Sequence, residues 1–403
     1  MTNLLLFDLD ATGHHPSYLK YLLMYWAQVR PAGTLQALVS PDLLTHHPDV
    51  VESARLANVT LTAATSDELR HCQHQTSVVT RTRREWALCG QYARRLGATH
   101  VLVMYLDFYQ VAMLLNRRFP VSFSGIYFRP DFHYVTFRGS EPQSWSERLQ
   151  RLRKRLMIGA VLRLSGLHTL FSLDPVCVPA LNRQTTRPKA VWLPDPVWIH
   201  PVIDDELNSL RQSLAIEPGR RVLLVFGFLD NRKGIEPLTT ALEQVSDAVA
   251  RQVCLLLVGP MPADYDARLT PRLTQLANTK PIQVVRRHER VPEAAVQPYF
   301  LLSDIVMALY QRHIGMSSVL VRAAAARKPV LASDFGLVGE LVRRHKLGLT
   351  VDAASPAAIA QRLNELMTGP PVGDSAQMAQ FADANQAQQY AKTIFDALFP
   401  RHD

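Results

Sequence analysis

No apolar run in this sequence approaches the ~20 residues that cross a bilayer. The longest, such as Val222–Leu229 and Cys254–Val258, are far shorter, so no transmembrane helix is expected. The start lacks a basic leader and a small-residue cleavage site. Met1 leads directly into Leu4-Leu5-Leu6-Phe7, which reads as a first strand and not a signal peptide, and a cytoplasmic location is the expectation. Cysteine is scarce as well. Cys72, Cys89, Cys177 and Cys254 are scattered without a Cys-x-x-Cys pair, so neither a zinc site nor a disulfide framework is expected, and the thiols should be reduced. With no zinc-finger spacing and no RNP-type aromatic run, nucleic acid is not an expected partner. No repeat of solenoid length is visible.

What is present is a folding composition, 47% hydrophobic and 20% charged, in a chain of 403 residues that is too long for one core. The formal charge of +9 fits a protein that meets anions, whether phosphorylated small molecules or an acidic membrane surface. Short β-rich runs alternate with helical stretches throughout, the pattern of parallel sheets with crossover helices. The first half offers strands at Leu4–Leu9, Leu35–Val39, Val101–Tyr105, Val121–Gly125, Thr169–Ser172 and Ala190–Leu193. The second offers Val222–Phe226, Cys254–Val258, Ile282–Val285, Ile305–Leu309, Val330–Ser333 and Leu349–Val351. The pattern breaks after Leu193-Pro194-Asp195-Pro196, which predicts one α/β domain over 1–198 and a second over 199–374. A Pro/Gly break at 369–373 precedes a helical segment, 375–403, expected to pack back across both.

Ser144 and Glu147 have capping-box spacing and open a long helix. It carries Arg148, Arg151, Arg153, Lys154, Arg155 and Arg163 among Leu149, Leu152, Leu156 and Ile158. The preferred reading is a packed helix with a solvated basic face; a surface for anionic lipid stays beside it.

Ligands of open α/β domains sit beyond the strand C-termini, where helix N-termini present unpaired amides. Three loops qualify. Asp8 to Pro16 contains Gly13, which permits a tight turn, and the imidazoles His14 and His15, which offer donor and acceptor chemistry. A single glycine there is equally ordinary punctuation. Phe226 to Leu238 holds Gly227, Lys233 and Gly234 around a cationic turn at a helix start, suited to a diphosphate. Asp304 to Ser318 ends in Gly315-Met316-Ser317-Ser318, where Ser317 and Ser318 are either caps or ligand contacts.

Over about 222–352 the pieces resemble, in order, the donor domain of glycosyltransferase family 4. Val225 to Gly234 resembles its Gly-Arg-Leu…Lys-Gly segment, and Tyr299…Ser303-Asp304-Ile305-Val306 its Tyr-x-x-Ala-Asp-Val run. Ala323 to Ser333 resembles its helix-to-strand passage with Pro-Val, Gly336 to Val342 its Gly-Gly-x-x-Glu segment, and Leu347 to Val351 its Gly-hydrophobic-hydrophobic-Val run. The resemblance implies a GT-B fold, two Rossmann-like domains facing across a cleft. It implies a transferase that moves a sugar from a nucleotide-diphosphate sugar, with retention and no required metal, to a sugar, lipid-linked or small-molecule acceptor. The family's Glu-x7-Glu pair falls on Ile314 and Arg322, neither acidic, and Phe228 stands where its Arg is expected. Lys233 therefore carries the phosphate argument with Arg232 as substitute, and Gly227, Gly315, Ser317, Ser318 and Glu340 complete the donor set. In the first half Gly13, His14, His15 and Arg129 are the acceptor candidates. His133, after Tyr127 to Phe132, takes the place of a histidine near the reacting sugar. A non-catalytic nucleotide- or glycan-binding protein and a nucleotide-sugar epimerase are the alternatives, the first favoured by the missing Glu pair.

Overall fold

The computed structural model describes residues 2–73, 77–137, 139–140 and 144–399. The chain divides into two compact units. The first comprises Met1–His133, Pro142–Pro196 and Ala387–Asp403, and the second Tyr134–Glu141 and Val197–Gln386.

The first unit is built on a seven-stranded parallel sheet: β1 (Thr2–Asp8), β2 (Gly33–Val39), β3 (Thr60–Ala63), β4 (His100–Val103), β5 (Ser122–Tyr127), β6 (Leu167–Ser172) and β7 (Ala190–Trp192). Its strand order is β3-β2-β1-β4-β5-β6-β7. β1 lies in its interior, with Leu6 opposite Ala37 on one side and Leu102 on the other. Strands covered on both faces need no polar alternation, which is why Leu4, Leu5, Leu6 and Phe7 are all buried and legible as a continuous apolar run. β3 escapes such a reading. Thr60-Leu61-Thr62-Ala63 is an edge strand with no fully buried residue.

The second unit repeats the plan with β8 (Arg221–Phe226), β9 (Val253–Val258), β10 (Gln283–Arg287), β11 (Ile305–Ala308), β12 (Val330–Ser333) and β13 (Gly348–Val351). The order is β10-β9-β8-β11-β12-β13. All six residues of β9 are buried, and Leu223, Val225, Leu255, Leu257, Met307 and Leu331 join one core with the flanking helices.

The terminal stretch is two helices, one in each unit. Ser375–Ala384 packs in the second unit against the helix Ser318–Ala325. Ala387–Leu398 belongs to the first, where Phe395 stacks on Tyr25 at 5.8 Å and Tyr390 meets Tyr18 at 5.4 Å. The two crossings are adjacent, since Val197 pairs with Gln386 in an isolated bridge and its N–H donates to Asn385 O at 3.2 Å.

The helix opened by Ser144 spans Trp145–Leu162, and Ser144 Oγ accepts from Glu147 N–H at 3.2 Å. Its packed face is not the leucine face. Arg151, Ile158, Gly159, Val161 and Leu162 are buried, whereas Leu149, Leu152 and Leu156 are exposed, so the helix is packed, as expected, but not through these three leucines.

Candidate functional site

Each sheet reverses its strand order once, between β1 and β4 in the first unit and between β8 and β11 in the second. Loops leaving adjacent strands at such a point turn to opposite sides and open a crevice at the strand C-termini. The candidate residues collect there.

In the second unit the loop after β8 folds onto the loop after β11. Gly234 makes this approach possible: its φ is +66°, and a Cβ would lie 2.2 Å from Leu309 O. Gln311 N–H in turn donates to Arg232 O at 2.8 Å. Lys233 stands between the loops, its Nζ donating to Phe226 O at 2.6 Å and Tyr310 Oη at 3.3 Å, above the Tyr310 ring. Gly227, at φ +109°, leaves room for that ammonium, since a Cβ would approach Nζ to 3.1 Å. Tyr310 Oη also meets Ser317 Oγ at 2.8 Å. The hydroxyl of Ser317 is thus engaged by Tyr310, and it does not cap the helix Ser318–Ala325 that it precedes.

One strap of chain reaches the same loops. Tyr134 and Ser140 are assigned to the second unit although they lie between segments of the first. Gly315 N–H donates to Tyr134 Oη at 3.1 Å, and Gly336 N–H, at the start of the helix Gly336–Arg344, donates to Ser140 Oγ at 2.7 Å. Two amides suited to an anion are therefore held by hydroxyls of the strap.

Lys233, Gly227, Gly315 and Ser317 form one connected set. Ser318 is exposed at the helix start. Arg232 turns outward, with Nε donating to Asp230 Oδ2 at 2.8 Å. Glu340 is engaged along its own helix by Arg343 at 3.3 Å and Arg344 at 2.6 Å. Arg322 is buried, and its charge is met by Glu293 at 3.7 Å and the Trp198 carbonyl at 3.4 Å.

In the first unit His15 Nδ1 lies 2.9 and 2.8 Å from the two Asp8 oxygens. Burial disfavours the imidazolium, but the hydrogen bond and charge of Asp8 outweigh it, and the His15 pKa is raised. His14 has the opposite fate. Desolvation by the groups packed around the ring, then the charges of His15 and Arg129, hold it down to about 4, although the residue keeps part of its surface in solvent. The imidazoles stack at 5.3 Å and join an aromatic wall in which Tyr105 lies parallel to Phe128 at 4.3 Å. Burial, then the charge of Asp107, pushes the Tyr105 hydroxyl up to about 12, against the opposing charge of Arg129. Gly13 takes φ +61° with open space where a side chain would be.

Asp107, after β4, was not singled out by sequence. Its carboxylate accepts from Phe128 N–H at 2.8 Å and Arg129 N–H at 2.9 Å, tying the loops after β4 and β5 together. Burial nevertheless raises its pKa to about 6. An acid shortly beyond a strand, as Asp10 is beyond β1, was the available signal. His133 is buried, with Nε2 3.0 Å from Asp174 Oδ2. Asp174 also accepts from Val176 and Cys177 N–H.

The Glycosyl transferases group 1 family matches residues 220–369, which cover all of the second unit's sheet. A D-inositol 3-phosphate glycosyltransferase of Rhodococcus erythropolis is 26% identical over 223 residues, 54% of this chain and 46% of that protein. The chain thus spans about half the length of this curated relative. Among solved structures, Anabaena HepE in complex with UDP superposes with a TM-score of 0.67 at 15% identity, covering 98% of this chain and 99% of that one. WaaG, a glycosyltransferase involved in lipopolysaccharide biosynthesis, gives 0.64 at 13% identity and covers both chains completely. Two parallel-sheet units of this topology and these likenesses give the chain the GT-B fold, and its residues 220–369 are similar to the Glycosyl transferases group 1 family.

Proposed function

We propose that the protein is a glycosyltransferase that binds a nucleotide-diphosphate sugar on the second unit and transfers the sugar to an acceptor held by the first. The carrying observation is Lys233, whose ammonium is held between the loops after β8 and β11 within reach of a helix start. As the sugar leaves, charge grows on the diphosphate oxygen. Lys233 and the amides of Gly315 and Gly336, once exchanged from Tyr134 and Ser140, would stabilise it. HepE was solved with UDP, which makes a uridine diphosphate sugar the first donor to try.

On the acceptor side, Asp8, Asp10, Asp107 and Arg129 offer hydrogen bonds beside the Tyr105–Phe128 wall. Acids flanking aromatic faces suit sugar hydroxyls and ring faces, so a sugar, free or lipid-linked, is the acceptor class favoured here. His133 acts through its place between the loop after β5 and Asp174. Transfer with retention, without a metal, is the proposed course, since the diphosphate itself can take the acceptor proton.

Thermal-shift titration with uridine, guanosine and adenosine diphosphates and their sugars tests the donor half. One nucleotide is expected to raise the midpoint, and Lys233→Ala to weaken binding by about ten- to a hundredfold, the worth of a charge-assisted bond. No response to any nucleotide would sink the reading. Arg322 in the place of an acid favours a second reading, a binding protein without turnover. Nucleotide binding without nucleoside diphosphate release across an acceptor panel would establish it, and the anomeric signal of any product, read by NMR, decides retention.

A further inference from the structure

The helix Trp145–Leu162 shows an apolar ridge to solvent. Trp145 is 82% exposed, Leu149 68%, Leu152 50% and Leu156 65%. No other element among the described residues exposes more than two large hydrophobic side chains to this degree. At 3.6 residues per turn these four positions fall within a stripe roughly 60° wide. The opposite side is the one that packs, through buried Arg151 and Ile158, and there Lys154 Nζ donates to Asp131 Oδ2 at 2.7 Å. The helix is thus held to its unit by its more polar side in the first turns and presents its apolar side outward, the reverse of a surface helix.

Cations flank the ridge. By the same helical spacing Arg148 and Arg155 lie along one border and Arg153 along the other, all exposed. Arg148 also lies over the Trp145 ring at 5.0 Å. Glu147, the one acid of the helix, falls on the packed side and is only half-exposed. The short helix Gln110–Leu115 packs alongside and ends in exposed Leu115, with exposed Arg117 and Arg118 just beyond.

We infer that the helix Trp145–Leu162 lies on the surface of an anionic phospholipid bilayer, with Trp145, Leu149, Leu152 and Leu156 inserted among the headgroups and the flanking arginines on lipid phosphates. Aliphatic and indole side chains enter the acyl boundary, and arginines beside them gain from the negative surface. Charge complementarity selects this occupant. A second copy placed on the ridge would set its arginine borders against those of the first, a like-charge contact that costs affinity. The inference does not rest on the donor reading, because none of these residues belongs to the candidate site.

Cosedimentation with phosphatidylcholine vesicles, with and without phosphatidylglycerol, tests it on the whole protein. Binding is expected only with phosphatidylglycerol present, falling as salt rises. Leu149→Ser/Leu156→Ser and Arg148→Gln/Arg155→Gln should each weaken it on the order of tenfold or more. Both doubles alter exposed side chains, so their melting temperatures should match the wild type, which separates lost docking from lost folding. Trp145→Phe should abolish a lipid-induced blue shift of tryptophan emission. No binding to anionic vesicles at low salt, or wild-type binding by the leucine double, would overturn the inference. So would self-association in sedimentation velocity that the leucine double loses without any vesicle binding, which would assign the ridge to a second copy.

Discussion

Gly13 and Gly234 look alike in the sequence, each a glycine in a loop between strand and helix, and both take positive φ. Their surroundings separate them. An alanine at 234 would place its Cβ 2.2 Å from Leu309 O and force apart the loops that hold Lys233, whereas nothing lies within 4 Å of the same atom at 13. Gly234→Ala should therefore cost more than about 2 kcal/mol and abolish the nucleotide-induced thermal shift. Gly13→Ala should cost only about 1 kcal/mol, the left-handed backbone penalty. Asp107 supplies a pH-dependent test. Its folded pKa, about 6, lies above its ordinary value of 3.8, so its contribution to stability is fully present below pH 4 and is lost as pH rises through 6. The stability difference between wild type and Asp107→Asn, followed by denaturant titration across that window, should move against the wild type as pH rises and level off above it. The place of Lys233 in a strand-loop-helix turn was legible because strand, glycine and helix start follow one another within a few residues. Tyr134 was not, because its partner Gly315 is 181 residues away in sequence.

Twelve of the thirteen strands among the described residues were legible from apolar runs, because parallel strands covered on both faces carry few polar residues to obscure them. The missing one, β3, has two threonines in four residues and an edge position, so nothing in its composition distinguishes it from a loop. The helix Trp145–Leu162 shows the opposite limit. Its leucine spacing announced a helical face correctly but could not say whether that face is packed or bare. The consequence is measurable: Ile158→Ala, in the core, should destabilise by about 2–5 kcal/mol, while Leu152→Ser, on the ridge, should stay within about 0.5 kcal/mol in the same urea titration.

The chain passes from one unit to the other after Pro196 and between Gln386 and Ala387, and the segment Tyr134–Glu141 is a further excursion into the second unit. A nucleotide that binds only the second unit should raise the unfolding transition of that unit in calorimetry, by about 2.7 kcal/mol at a hundredfold excess over the dissociation constant. Lys233→Ala should remove that rise and leave the other transition in place. Hydrophobic periodicity and turn residues act over a few neighbours, and they were enough to determine the α/β class, the order of the strands along the chain, and the cationic loop of the second unit. Which loops meet is decided by strand order in the sheets, because β1 adjoins β4 and β8 adjoins β11 only once the crossovers are made. For that reason the pairing of Asp107 with the loop after β5, the hold of the Tyr134–Ser140 strap on Gly315 and Gly336, the partnering of Arg322 by Glu293, and the outward turn of the leucine ridge belong to the tertiary structure alone.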